Sequence, residues 1–154
     1  MYTENDLQSV LAQRKRRWTI LLIPAAILAA VLVGSLILRV EWMTTAATIV
    51  GGVLLIAGHD LFIKPLTDYA THVDNMLHGR RREIDLPFAG ISEDISLVDG
   101  VRYYAMTASD YDEKGKPYER LFYFDAEKPF PGFSKGDMLH IVFNDKEIAS
   151  VTRL

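Results

Sequence analysis

The sequence predicts a mixed α+β membrane protein: a transmembrane hairpin of two helices, an amphipathic connector helix and a small antiparallel β-barrel facing the cytoplasm. Three observations carry that reading. Two apolar runs of membrane-spanning length stand close together near the start of the 154 residues. A helical stripe follows them. Five short segments rich in aromatic and β-branched residues then alternate with turn residues to the end.

Residues 1–17 form the cytoplasmic N-terminal segment, ending in Arg14-Lys15-Arg16-Arg17. The first span, 18–38, has 21 residues and no charge. At about 1.5 Å per residue it is roughly 31 Å long, close to the hydrocarbon thickness of a bilayer. The second span, 43–63, is equally long, with His59 and Asp60 only in its last turn. Between them Arg39-Val40-Glu41-Trp42 is too polar for mid-bilayer and too short for a domain, so 39–42 reads as an extracytoplasmic turn. Trp18 and Trp42 suit the two interfaces, where an indole finds apolar surroundings and a hydrogen-bond acceptor. Basic residues before the first span and after the second, at Lys64 and Arg80–Arg82, outnumber the single Arg39 of the turn. The positive-inside rule then places both termini in the cytoplasm of a cell membrane, most simply a bacterial inner membrane. A signal peptide is disfavoured, because the first run is too long and no A-x-A site follows.

Small residues recur at four-residue spacing: Ala26, Ala30 and Gly34 in the first span, Ala47 and Gly51 in the second. Such ladders let helix backbones approach closely in lipid. The spans are expected to use them on each other, with a free ladder for a second subunit as the alternative. Pro24 is expected to bend the first span slightly.

Residues 64–82 form the connector helix and a basic hinge. Leu66, Tyr69, Val73, Met76 and Leu77 make one apolar stripe, expected to pack on the following domain or, second, to pair with another subunit. Gly79 is a natural stop. Within 83–154 the strands are EIDLPFAGI, VRYYAMTAS, RLFYF, MLHIVF and EIASVTRL. Asp99-Gly100, DYDEKGKP and NDK supply turns, and EKPFPGFSKGD a longer connection. Five strands in so short a stretch suggest a barrel of OB-like or SH3-like kind.

Chemistry is sparse. With no cysteine, disulfides and thiolate sites are excluded. DYDEKG begins like a calcium loop, but Lys114 occupies a ligand position, so it reads as a hairpin loop. Asp68 with His72, and Asp74 with His78, sit at i, i+4 and are expected to be solvent-facing pairs rather than metal ligands. His140 should face outward. No nucleophile–base pairing, P-loop or zinc motif occurs, so no enzyme, cofactor or metal is expected. The net charge of −3 and the acidic SEDISLVD argue against nucleic acid. The expected function is an interaction, assembly or regulatory module displayed on the bilayer for another membrane or cytoplasmic protein, or for a homo-oligomer. Tyr103, Tyr104, Phe130 and Phe133 are the exposed aromatic candidates, beside the connector stripe. The alternative is a homo-oligomeric pore or transporter component, with Ser35, Thr44, Thr45, Thr48, His59 and Asp60 as its few polar residues.

Overall fold

The computed structural model describes residues 1–154. The chain divides into two compact units, one of residues 8–67 and one of residues 1–7 together with 68–154.

The first unit is the helical hairpin. Helix α1 runs Glu4–Ile37 and continues through Pro24. Its start lies well before the apolar run and carries a capping box: Thr3 Oγ1 accepts from Asp6 N at 3.2 Å, and Asp6 Oδ2 accepts from Thr3 N at 2.8 Å. Its end is a Schellman motif. Val40 N donates to Ser35 O at 3.0 Å and Arg39 N to Leu36 O at 3.3 Å, with Arg39 left-handed at φ 54. The turn is tighter than expected, because Glu41 and Trp42 already belong to the first turn of α2, Glu41–Gly58.

A π-helical turn, His59–Ile63, joins α2 directly to α3, Lys64–His78. Lys64 N bonds His59 O, five residues back. Pro65 has no N–H to give Leu61 O, and the wider turn just before it absorbs that break in the ladder. The connector helix thus continues directly from the second long helix. Its C-terminus is closed by Arg81, whose Nη2 donates to Met76 O at 2.9 Å and to Leu77 O at 2.5 Å.

Within the hairpin the close approach is at Gly58, where an added Cβ would collide with Leu21 Cδ1. Ala47 is buried in the hairpin and Gly34 and Gly51 are half-buried, whereas Ala26 and Ala30 face outward. The buried Ser35 hydroxyl donates to Leu32 O at 2.8 Å and bonds Thr44 Oγ1 at 2.8 Å. Most large side chains of the two runs point away from the fold, among them Ile27, Ile37, Trp42, Val53 and Ile56. The most apolar windows of the two helices are only 6% and 17% buried, and both helices are long and apolar enough to cross a membrane.

The second unit contains a closed five-stranded barrel in the order β1-β2-β3-β5-β4. The strands are β1 Arg82–Val98, β2 Val101–Tyr111, β3 Pro117–Asp125, β4 Met138–Asn144 and β5 Glu147–Arg153. Long β1 serves two neighbours: Arg82–Pro87 pairs with β4, and Phe88–Val98 with β2, with register shifts at Phe88/Gly90 and Ile91/Ile95. Such irregularities bend a strand enough to close a small barrel. The expectation of a wholly antiparallel barrel is corrected at one seam, where β3 and β5 pair in parallel at Tyr123 and Glu147. The β1–β2 turn has Asp99 at φ 49 and Gly100 at φ 80, a two-residue I′ geometry. Phe88, Met106, Phe122, Phe124, Leu139 and Phe143 fill the interior. Phe130 and Phe133 fold back from the β3–β4 connection onto Phe88, with ring centroids 6.1 and 5.9 Å away.

Candidate functional site

Strand alternation builds the most unusual cluster in the molecule. Phe122 and Phe124 point into the barrel core, so Asp125 points out of it. Tyr103 lies directly opposite Asp125 in the β2–β3 register and projects from the same outer face. Residues of α3 cover that face: Val73 and Met76 are fully buried, and His72, on the same side of the helix, is 5% exposed.

His72 thus lies inside a hydrogen-bonded set drawn from distant parts of the chain. Tyr2 donates to Asp125 Oδ2 at 3.0 Å, and Tyr69 donates to the same oxygen at 2.8 Å. Asp125 Oδ1 accepts from Glu127 N at 2.8 Å. The proton of the Tyr2 hydroxyl is committed to the carboxylate, so His72 Nε2–H donates to the Tyr2 oxygen, 2.8 Å away. On the other side of the ring, Nδ1 lies 2.9 Å from the Tyr103 hydroxyl and 3.2 Å from Glu147 Oε2. Tyr2 and Tyr103 both meet the imidazole edge-on, at 5.3 and 5.4 Å between centroids. No buried side-chain polar atom of the protein lacks a partner.

The electrostatics follow from burial and from the two carboxylates. Desolvation, then the charge of Asp125, pushes the Tyr2 hydroxyl far above its ordinary range. Tyr69 is raised by burial and by its hydrogen bond to Asp125, and Tyr103 by burial and the charge of Glu147. All three remain protonated donors at any physiological pH. They are unsuited to act as phenolate bases, and both nitrogens of His72 are engaged. The cluster is built to hold segments together. It fastens residues 1–7 as well: Lys128 Nζ meets Asp6 Oδ1 at 3.1 Å and sits over the Tyr2 ring, and Glu4 meets His78 Nε2 at 3.1 Å.

Beside His72 opens a small pocket of about 270 Å³, lined in part by Asp68, Asn75, Asp99 and Glu147. Gly100 lies against Asp68 so closely that a Cβ would collide with its carboxylate. The Asp68–His72 pair expected at the surface is not formed, because His72 turns to Tyr2, Tyr103 and Glu147 instead. The second pair is present: His78 Nδ1 meets Asp74 Oδ1 at 2.9 Å in the open. His140 lies on the outer face against Asp85 Oδ1, 2.6 Å away. His59 bonds its neighbour Asp60 at 2.9 Å.

Of the stripe residues, Val73 and Met76 are spent in the fold, Tyr69 joins the Asp125 network, and Leu66 and Leu77 are half-buried. The exposure expected of the aromatics is not found. Tyr103 is 1% exposed, and Tyr104, Phe130 and Phe133 pack partly buried against the barrel core. Apolar side chains that do remain exposed lie elsewhere on the barrel: Tyr111, Tyr118, Leu121, Met138 and Leu154 are scattered over the other strands and the C-terminus, and two stand together on the part of β1 beyond its pairing with β4. Ile95 is 52% and Leu97 71% exposed there. In the hairpin, Thr45 and Thr48 donate to backbone carbonyls four residues back. His72, Asp125, Tyr2 and Glu147 were invisible as a group because no spacing links them. The T-x-x-D box at Thr3–Asp6 was the one sequence signal that residues 1–7 are ordered.

No family model, curated protein or solved structure matches the chain.

Proposed function

We propose that the chain is a two-span membrane protein that presents its barrel on the cytoplasmic side as a docking module for another protein, without catalysis of its own. The observation that carries this reading is the outward-facing apolar surface of the two long helices, in a chain whose barrel buries its own core. Water would drive such side chains inward, whereas lipid accepts them. A same-side topology is supported from an independent direction. Residues 1–7 and 68–154 belong to one compact unit, which supports a chain that leaves and returns on one face of the bilayer. The basic run Arg14–Arg17 favours the inner face.

The strand order, with one long β1 shared by β2 and β4, favours an OB-like over an SH3-like barrel. That likeness concerns fold alone. The β1–β2 and β4–β5 loops, which OB-folds extend to hold oligonucleotides, are tight turns here at Asp99-Gly100 and Asp145-Lys146, which speaks against nucleic acid. Absence of catalysis is supported by a histidine with no free nitrogen and tyrosines held protonated.

With the stripe consumed internally, the docking surface falls on the free part of β1. Ile95–Val98 pairs with β2 alone, and Ile95 and Leu97 stand out from it. An open edge beside exposed apolar side chains invites a partner strand or loop. The test compares full-length chain with an Ile95→Asp/Leu97→Asp variant. Both should resist extraction from membranes by alkaline carbonate, and a stoichiometric protein should co-purify with the parent and be lost from the variant. A carbonate-soluble chain, or identical co-purifying proteins for both, overturns the reading.

A further inference from the structure

The four basic residues before Trp18 do not share one environment. Leu11, Arg14, Lys15 and Trp18 fall at i, i+3, i+4 and i+7 and form one face of α1. Across from them stand His59 and Ile63, with Thr67 one turn further on. The two rows enclose an open groove of about 490 Å³. Trp18 and His59 are ring neighbours, 6.0 Å between centroids, and buried Ile63 lines the groove with them. Neither Arg14 nor Lys15 makes an ion pair with a carboxylate of the chain.

The neighbouring basic residues are placed differently. Arg17 donates to Phe62 O at 3.0 Å, beside a second, apolar cleft lined by Ile20, Pro24 and Val53. Arg16 is exposed and lines neither cavity. Two unpaired cations, an imidazole and an indole therefore converge on one groove. It lies where the surface of α1 changes from charged to apolar, since Ile20, Leu22, Ile23 and Ile27 follow, all exposed.

From this convergence we infer that the groove holds the phosphate headgroup of an anionic phospholipid, with Arg14 and Lys15 on the phosphate and the acyl chains lying along the apolar surface that follows. The inference rests on the membrane reading above. Charge alone would attract any anion. The adjoining apolar surface selects one that is tethered to hydrocarbon, and Trp18 suits the depth at which glycerol and headgroup meet.

Arg14 and Arg16 carry the same charge two residues apart, and that makes the test. Full-length chain in mild detergent is titrated with phosphatidylglycerol and, separately, phosphatidylcholine, and retained lipid is read by native mass spectrometry. General surface attraction weakens binding by roughly fivefold per charge removed, wherever the charge lies. The groove predicts preferential retention of phosphatidylglycerol, lost by at least about tenfold in Arg14→Gln and largely kept in Arg16→Gln. Added inorganic phosphate should not displace the lipid. Equal losses in the two variants, equal retention of the two lipids, or displacement by phosphate would each overturn the headgroup site. Carbonate extraction of the same preparations separates the two claims. A chain that stays in the membrane without selecting the anionic lipid defeats this site alone, whereas a chain released by carbonate defeats the membrane reading.

Discussion

The two units of this chain solve opposite problems with the same kinds of side chain. In residues 8–67 most of the isoleucines and valines and many of the leucines point outward, and the few enclosed groups include Ser35, Gly58 and Ile63. In the barrel Phe88, Phe122, Phe124, Phe143, Leu86 and Leu139 point inward, and Asp85, His140 and Arg102 lie outside. The hairpin satisfies its hydroxyls locally, against backbone carbonyls three or four residues back. The barrel unit joins polar groups across the sequence, Tyr2 to His72 and Tyr69 to Asp125, 70 and 56 residues apart. One unit is legible from composition. The other is legible from alternation, and its polar centre from neither.

The largest expected effect strikes the barrel. Phe122 is fully buried against Phe143, with ring centroids 5.2 Å apart. Phe122→Ala should cost about 3–5 kcal/mol of barrel stability. Circular dichroism and limited proteolysis should report loss of the β-unit, while the chain still fractionates with membranes. A barrel that melts unchanged would break the distinction between the two cores.

The next effect belongs to the hairpin. Ile27 is 60% exposed, so in water Ile27→Asp would be nearly neutral, within about 0.5 kcal/mol. In a bilayer centre it should cost about 3 kcal/mol and depress insertion. Membrane-inserted yield, normalised to synthesis, decides between those values.

A smaller effect tests the polar centre. Tyr2→Phe removes one donor to Asp125 and one acceptor from His72, for about 1–3 kcal/mol. Residues 1–7 should then exchange amide hydrogen faster. Alkaline pH sharpens the same point. Tyr2, Tyr69 and Tyr103 are all held above the ordinary tyrosine value of 10.0. Their folded pKa values are raised, so their contribution is intact below pH 10 or so and is lost as the unfolded chain begins to ionise above it. Denaturation midpoints should stay level to about that pH and then fall, less steeply in Tyr2→Phe. His78 acts in the same direction at lower pH. It is raised by its bond to Asp74 and by Glu4, so its surface tie weakens as pH rises through its folded value.

How much was readable depended on range. Long apolar runs disclosed both long helices, because length and hydropathy are local quantities. Alternation and Gly-containing turns disclosed all five strands, with Asp99-Gly100 and Asn144–Lys146 as turns. The long arm of β1 was cut short, since Glu93 and Asp94 read as loop although they lie in a strand exposed to solvent. Helix α1 was begun too late, because the charges of Arg14–Arg17 masked a helix already capped at Thr3. The burial of His72 could not be read. Its i, i+4 neighbour Asp68 was the nearest partner in sequence, and residues 2, 103 and 147 were nearer in space. The stripe of α3 was found, and its place against the β-unit is set by Val73 and Met76.

The central claim is that one chain keeps its hairpin in hydrocarbon and its barrel in water, and single cysteines test it most directly because the chain has none. Ile27→Cys and Leu97→Cys replace side chains of similar exposure, 60% and 71%. In proteoliposomes made permeable to solutes but not dissolved, a water-soluble maleimide should label Leu97→Cys promptly and leave Ile27→Cys unmodified until detergent is added. Equal labelling of the two sites in intact bilayers would contradict the account.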